Sequence, residues 1–136
     1  HWDWEPDSGL RPFIARVNRI RQGNAALQSD RSLRFLDIDN DQLIAYLKAS
    51  DDGRNVVVTI VNLDPHNAQW GFLSLDPSEV DVPRDQPFQM HDLLTDQRFS
   101  WQGGRHFIRL EPERVPAHVL VVRRRLRDER DFDYYL

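Results

Sequence analysis

The sequence predicts a mainly β protein, an antiparallel β-sandwich of about eight strands preceded by one α-helix. Three observations carry this reading. A single stretch near the start spaces its apolar residues as a helix does. From Leu33 onward the apolar period changes to two, in short runs rich in Val, Ile, Phe and Trp. Turn residues punctuate those runs with no helical pattern between them, which favours an antiparallel sandwich over alternating strands and helices.

The helix comes first. Leu10, Phe13, Ile14, Val17 and Ile20 form one apolar stripe on a helix of about Gly9 to Gln22. Asp7 or Ser8 can cap it, Pro12 lies in the first turn where proline is tolerated, and Gly23 is a natural stop. The alternation then begins at Leu33–Leu36 and Leu43–Lys48. It continues through Val56–Leu63, Gln69–Leu75, Phe88–Leu93, Arg98–Trp101, His106–Leu110 and His118–Arg123. Asp52–Gly53, Asp64–Pro65, Asp76–Pro77, Thr95–Asp96 and Gly103–Gly104 separate the runs. Asn62–Asn67 reads as the turn of a hairpin, because Asn and Asp side chains hydrogen-bond turn backbone and Pro65 fixes φ. The mixed-charge tail Arg123–Asp131 leads into Phe132, Tyr134 and Tyr135.

Composition narrows the function classes. With 136 residues the chain is one domain, or one domain with an attached piece. A net charge of −4 argues against a sequence-independent grip on nucleic-acid phosphates. No apolar run approaches the roughly 20 residues of a membrane-spanning helix, and the N-terminus lacks the pattern of a signal peptide. There is no cysteine, which excludes disulfides and thiolate metal sites and suits a cytoplasmic protein. The first residue is His1 rather than Met, followed closely by Trp2 and Trp4, as expected of a chain cut from a longer one.

Candidate chemistry is sparse. Asp37–Ile38–Asp39–Asn40–Asp41 imitates the start of a calcium loop, but Gln42 and Lys48 stand where an EF-hand needs glycine and a bidentate glutamate, so the segment reads as a hairpin turn. His1, His66, His91, His106 and His118 are widely spaced and form no local ligand pair, so no metal site is expected. Gly-x-Ser-x-Gly, Walker and GxGxxG signatures are absent. Acidic residues are plentiful, yet none lies in a context that suggests a shielded carboxylate pair for glycoside chemistry. Of the tryptophans, Trp101 lies in an alternating strand and reads as core. Trp70 follows the Asp64–Pro65 turn and is the candidate sugar platform, with Asn67 and Gln69 near in sequence to bond hydroxyls.

Several blocks together resemble the C-terminal part of bacterial α-1,4-glucan:maltose-1-phosphate maltosyltransferases, of glycoside hydrolase family 13 (the α-amylase superfamily). They are WDWE (Trp2–Glu5), VNRIRQGNAALQ (Val17–Gln28), DNDQLIAYLK (Asp39–Lys48), VVVTIVNLDPHNAQWG (Val56–Gly71), MHDLLTDQRFSWQG (Met90–Gly103) and PAHVLVVR (Pro116–Arg123), with the DFDYYL ending. The resemblance covers nearly the whole chain in family order; the departures are Ala25, where the family tends to have proline, and Ile44, where it has leucine. It implies an α-amylase-type, Greek-key C-terminal sandwich over residues 29–136. Residues 1–28 would be the end of a (β/α)₈ barrel with its last helix. It further implies a retaining maltosyltransferase in cytoplasmic glycogen-type metabolism, with no metal or organic cofactor. The aspartate nucleophile and glutamate acid/base would lie upstream of His1, so no catalytic residue is assigned here.

The fragment itself is then expected to be inactive, to support the missing barrel and to touch α-glucan through Trp70. Its helical stripe would need cover from the sandwich or from a second copy of the chain in a homodimer. A trehalose synthase or α-glucan hydrolase parent, and a stand-alone carbohydrate-binding module, are the alternatives.

Overall fold

The computed structural model describes residues 15, 19, 20, 22–28, 33–114 and 116–124. Eight strands are present: β1 (Arg34–Leu36), β2 (Leu43–Ala49), β3 (Val56–Asn62), β4 (Gln69–Ser74), β5 (Phe88–Asp92), β6 (Arg98–Trp101), β7 (Arg105–Leu110) and β8 (Ala117–Arg123). Each lies where the alternation places it. Six strands form one sheet in the order β1-β2-β3-β8-β5-β6, and β4 and β7 form a second. All pairings are antiparallel. The last strand returns to lie between β3 and β5, a long-range return of the Greek-key kind.

The core fills the space between the sheets. Leu43, Ala45 and Leu47 of β2, Val58 and Ile60 of β3, Phe88 and Met90 of β5, and Leu120 and Val122 of β8 meet Leu73 of β4 and Ile108 and Leu110 of β7. Period two therefore supplies one buried face per strand. β3 is an exception, with Val56 through Ile60 all buried. Its second face is covered by the segment before the sandwich, where Ala26 packs with Val57 and Val121, and Leu27 joins Leu93 and Val119.

That segment is also tied down by amides. Asn24 Nδ2 donates to the Ile20 carbonyl at the helix end, Asn55 Nδ2 donates to Asn24 Oδ1, and Asn55 Oδ1 accepts from the Ala26 N–H, each at 2.9 Å. Ala15, Arg19, Ile20, Gln22 and Gly23 are helical, in keeping with the expected helix and its stop. Leu10, Phe13, Ile14 and Val17 lie outside the described residues, as do Trp2, Trp4 and the aromatic tail. Ile20 is half-buried and lines an apolar hollow with Leu27, Tyr46, Thr59, Leu94 and Val119.

The structure corrects one connection. Asn62–Asn67 is a turn, but no hairpin: β3 pairs with β2 and β8, while β4 pairs with β7, so the turn carries the chain from one sheet to the other. The polar cluster that looked like a hairpin turn serves this corner. Asn62 Oδ1 accepts the Asp64 N–H, and Asn62 Nδ2 reaches the Asn67 and Leu110 carbonyls, the latter on β7. Asp37–Gln42, by contrast, does join a true hairpin, β1–β2.

Candidate functional site

The β4–β7 sheet turns one face to the core and the other to solvent. Its register sets Trp70 opposite Arg109, Phe72 opposite Phe107 and Ser74 opposite Arg105. On the inner side stand Leu73, His106, Ile108 and Leu110, all buried. On the outer side Trp70 is 55% exposed, Phe107 55% and Phe72 39%. The outer face of this two-stranded sheet therefore mixes three of the large exposed hydrophobics with Arg105, Arg109 and Ser74.

The rings are not bare. The Arg105 guanidinium lies 4.1 Å over the Phe72 ring, and that of Arg109 lies 5.6 Å from the Trp70 ring, both within cation–π range. Phe72 and Phe107 meet edge to face at 5.6 Å. Carboxylates balance the cations, Asp39 at 3.8 Å from Arg105 and Glu111 at 3.4 Å from Arg109.

The β1–β2 loop holds this platform from the side. Ile38 bridges Leu73, the Asp39 N–H donates to the Phe72 carbonyl, and the Ser74 N–H donates to the Asp37 carbonyl. Asp39 Oδ1 accepts the Phe72 N–H at 2.5 Å, and Asn40 Nδ2 donates to the Trp70 carbonyl at 2.8 Å. The loop thus covers an edge of β4 that would otherwise present unpaired backbone. So close an approach needs glycine at position 71, where a Cβ would stand 2.7 Å from Asp39 Oδ1 and 3.2 Å from Asn40 Cβ. Of the side chains that imitated a calcium loop, Asp39 and Asn40 bond the backbone of β4.

Asp64 is the hub of the adjoining corner. The His66 N–H, the Gln69 amide and the Asn67 amide donate to its carboxylate and hold its pKa down to about 2. Gln69 Oε1 meanwhile accepts from Asn40 Nδ2. The amides expected to greet sugar hydroxyls are therefore engaged with the protein. The polar groups beside Trp70 and Phe72 are the two arginines, which sequence reasoning missed; the alternation of Arg105, Phe107 and Arg109 was the available signal. Asp64→Ala is expected to lower the melting temperature by several degrees, whereas His66→Ala, at an exposed position, should leave it unchanged. Calorimetry on both variants checks this, and an equal response at the two positions would refute the role given to Asp64.

At Asp52, Asp64, Asp76 and Asp92 hydrogen bonds lower the pKa and favour the carboxylate, whereas a general acid needs a raised pKa. Among the described residues no group of three or more His, Asp or Glu is placed to hold a metal ion.

Residues 35–122 match the family described as GLGE, C-terminal. The chain is similar to an α-1,4-glucan:maltose-1-phosphate maltosyltransferase of Salinibacter ruber, 49% identical over 118 residues, covering 87% of this chain and 17% of that protein. It is also similar to the enzyme of the same name from Myxococcus xanthus, 38% identical over 134 residues, covering 98% of this chain and 20% of that protein. It thus spans about a fifth of the length of these curated relatives. Among solved structures, a maltogenic α-amylase from Thermotoga neapolitana shares the fold, with a TM-score of 0.61 over 87% of this chain and 27% of that one, at 14% identity.

Proposed function

The chain belongs to the GLGE C-terminal family, and from that premise we propose that it is the C-terminal sandwich of a longer enzyme that transfers maltosyl units from α-maltose 1-phosphate to α-1,4-glucan. In this reading the chemistry belongs to a barrel upstream, residues 1–28 close that barrel, and residues 29–136 support it. The observation that carries the reading is the 49% identity to a maltosyltransferase along 87% of the chain. The lowered pKa values of the shifted carboxylates are consistent with it.

The outer face of the six-stranded sheet suits the supporting role. Ala26 and Leu27 already lie on it, held by the Asn24–Asn55 amides. Beside them Ile44, Tyr46, Val61 and Val119 are half-buried, and Phe35, edge-on to Tyr46 at 6.2 Å, is 61% exposed. A barrel joined through the helix that ends at Gly23 would cover this strip, so the principal partner is the rest of the same polypeptide. No helix among the described residues is long and apolar enough to cross a membrane. A cytoplasmic setting, without nucleic acid or organic cofactor, completes the proposal.

A domain exchange tests it. This chain is put in place of the corresponding C-terminal part of the Salinibacter ruber relative, and phosphate release from α-maltose 1-phosphate is followed with glucan acceptor. The chimera is expected to turn over, while the 136-residue chain alone releases no phosphate above a blank. A folded, soluble chimera without turnover, or release by the chain alone, would overturn the reading.

A further inference from the structure

We propose that the outer face of the β4–β7 sheet is an α-1,4-glucan-binding platform, on which Trp70 and Phe107 receive sugar rings and Arg105 and Arg109 bond hydroxyls. Pyranose rings present an apolar C–H face and a rim of hydroxyls, and they need flat aromatic area beside fixed polar groups. The face supplies both. Trp70 and Phe107 are each more than half exposed. The two guanidiniums lie over the Phe72 and Trp70 rings and remain open to solvent.

Charge selects the occupant. Each arginine already has a carboxylate, Asp39 for Arg105 and Glu111 for Arg109, so this set of groups carries no net charge. A neutral polyol complements such a surface. An anionic polymer or an acidic peptide would need guanidiniums without carboxylate partners.

Rigidity favours the same ligand. The backbone under the rings is fixed by Asn40 and Asp39 and by the close approach at Gly71, so little ordering is left for the protein when a flexible chain binds. Successive outward residues on one strand stand about 7 Å apart and neighbouring strands about 4.8 Å, which spreads the three rings over more than one sugar unit. The choice of the α-1,4 linkage rests on the proposed parent reaction, whereas recognition of a polyol rests on the face alone.

The test is a titration of the chain with maltoheptaose, read by NMR at the tryptophan indole N–H groups and at Phe72 and Phe107, with cellohexaose in parallel. Maltoheptaose is expected to shift the Trp70 indole with a Kd in the millimolar range, since one shallow face contributes little area. Trp70→Ala should weaken binding at least tenfold and Arg109→Ala several-fold, both with melting temperatures near that of the parent chain. No shift at about 10 mM sugar, or undiminished binding in Trp70→Ala, would overturn the platform. So would Trp70 signals that move on dilution of the protein rather than on adding sugar, since that marks contact between two copies. An equal response to cellohexaose would overturn the α-linkage while leaving the domain exchange to judge the parent reaction on its own.

Discussion

Replacing Asp92 with alanine is expected to destabilise the domain by about 3–5 kcal/mol, the scale of removing one buried acceptor from several donors at once. Asp92 is fully buried at the end of β5. Its carboxylate accepts from His118 Nδ1 at 2.7 Å, the Thr95 hydroxyl at 2.9 Å, the Leu94 N–H at 3.0 Å and the Val119 N–H at 3.3 Å. One side chain thus holds the β5–β6 turn and ties it to β8, and alanine would leave four donors without their acceptor. The acidity shift adds a pH signature. Burial pushes the Asp92 pKa up, but the His118 imidazole, the Leu94 N–H and the Thr95 hydroxyl outweigh it, and the net value lies below 3.8. A carboxyl lowered in the folded state adds stability that is complete above the unfolded value of 3.8 and is lost as pH falls through the folded one. Urea unfolding from neutral pH down to about pH 3 should therefore show an acid-side loss in the parent chain that Asp92→Ala reduces. A variant within about 1 kcal/mol of the parent, with the same acid limb, would show that the network contributes little.

Trp101→Ala is expected to cost about 3–5 kcal/mol, and Trp70→Ala to stay within about 0.5 kcal/mol. Trp101 is 8% exposed, stacks on His106 at 4.2 Å with 12° between planes, and meets Phe88 edge to face at 6.3 Å. Burial lowers the His106 pKa against the raising effect of the Leu75 and Gly103 backbone, so that ring stacks in its neutral form near neutral pH. Removing the indole leaves a cavity that both neighbours face. The melting temperature of Trp101→Ala should fall by about 10 °C or more. Equal losses at the two tryptophans would contradict the division between core and surface.

Half of that division was legible in the sequence: Trp101, at an inward position of an alternating run, reads as core, whereas Trp70, just past a turn, fits a core filler as well as a platform. The eight strands were legible for the same reason, with β3 expected at Val56–Leu63 and found at Val56–Asn62. Strand neighbours were not legible. Alternation says which residues share a face, but Val58 faces Leu120 and Gly71 faces Ile108 through pairings that no local pattern encodes. The expected β3–β4 hairpin failed on this point, since polar turn residues serve a corner between sheets as well as a hairpin. The same gap hid Arg105 and Arg109 beside the Trp70 face, and His118 beside Asp92. Asn24 and Asn55 join through side chains far apart in sequence, which spacing cannot report.

The place of β8 governs the order of assembly. Before it arrives, the larger sheet exists only as two separate pieces, β1-β2-β3 and β5-β6, each with an open inner edge. Neither piece can finish its backbone pairing from what has been synthesised up to that point, and exposed edges invite pairing with other chains. Closure waits for Val119–Val121 to reach Val57–Thr59 on one side and for Leu120–Arg123 to reach Gln89–Asp92 on the other. Such distant pairings make for slow folding, and of the described strands the keystone is the last in chain order. A truncation that removes β8 would thus cost far more than its seven residues, because it splits a six-stranded sheet into a three-stranded piece and a hairpin.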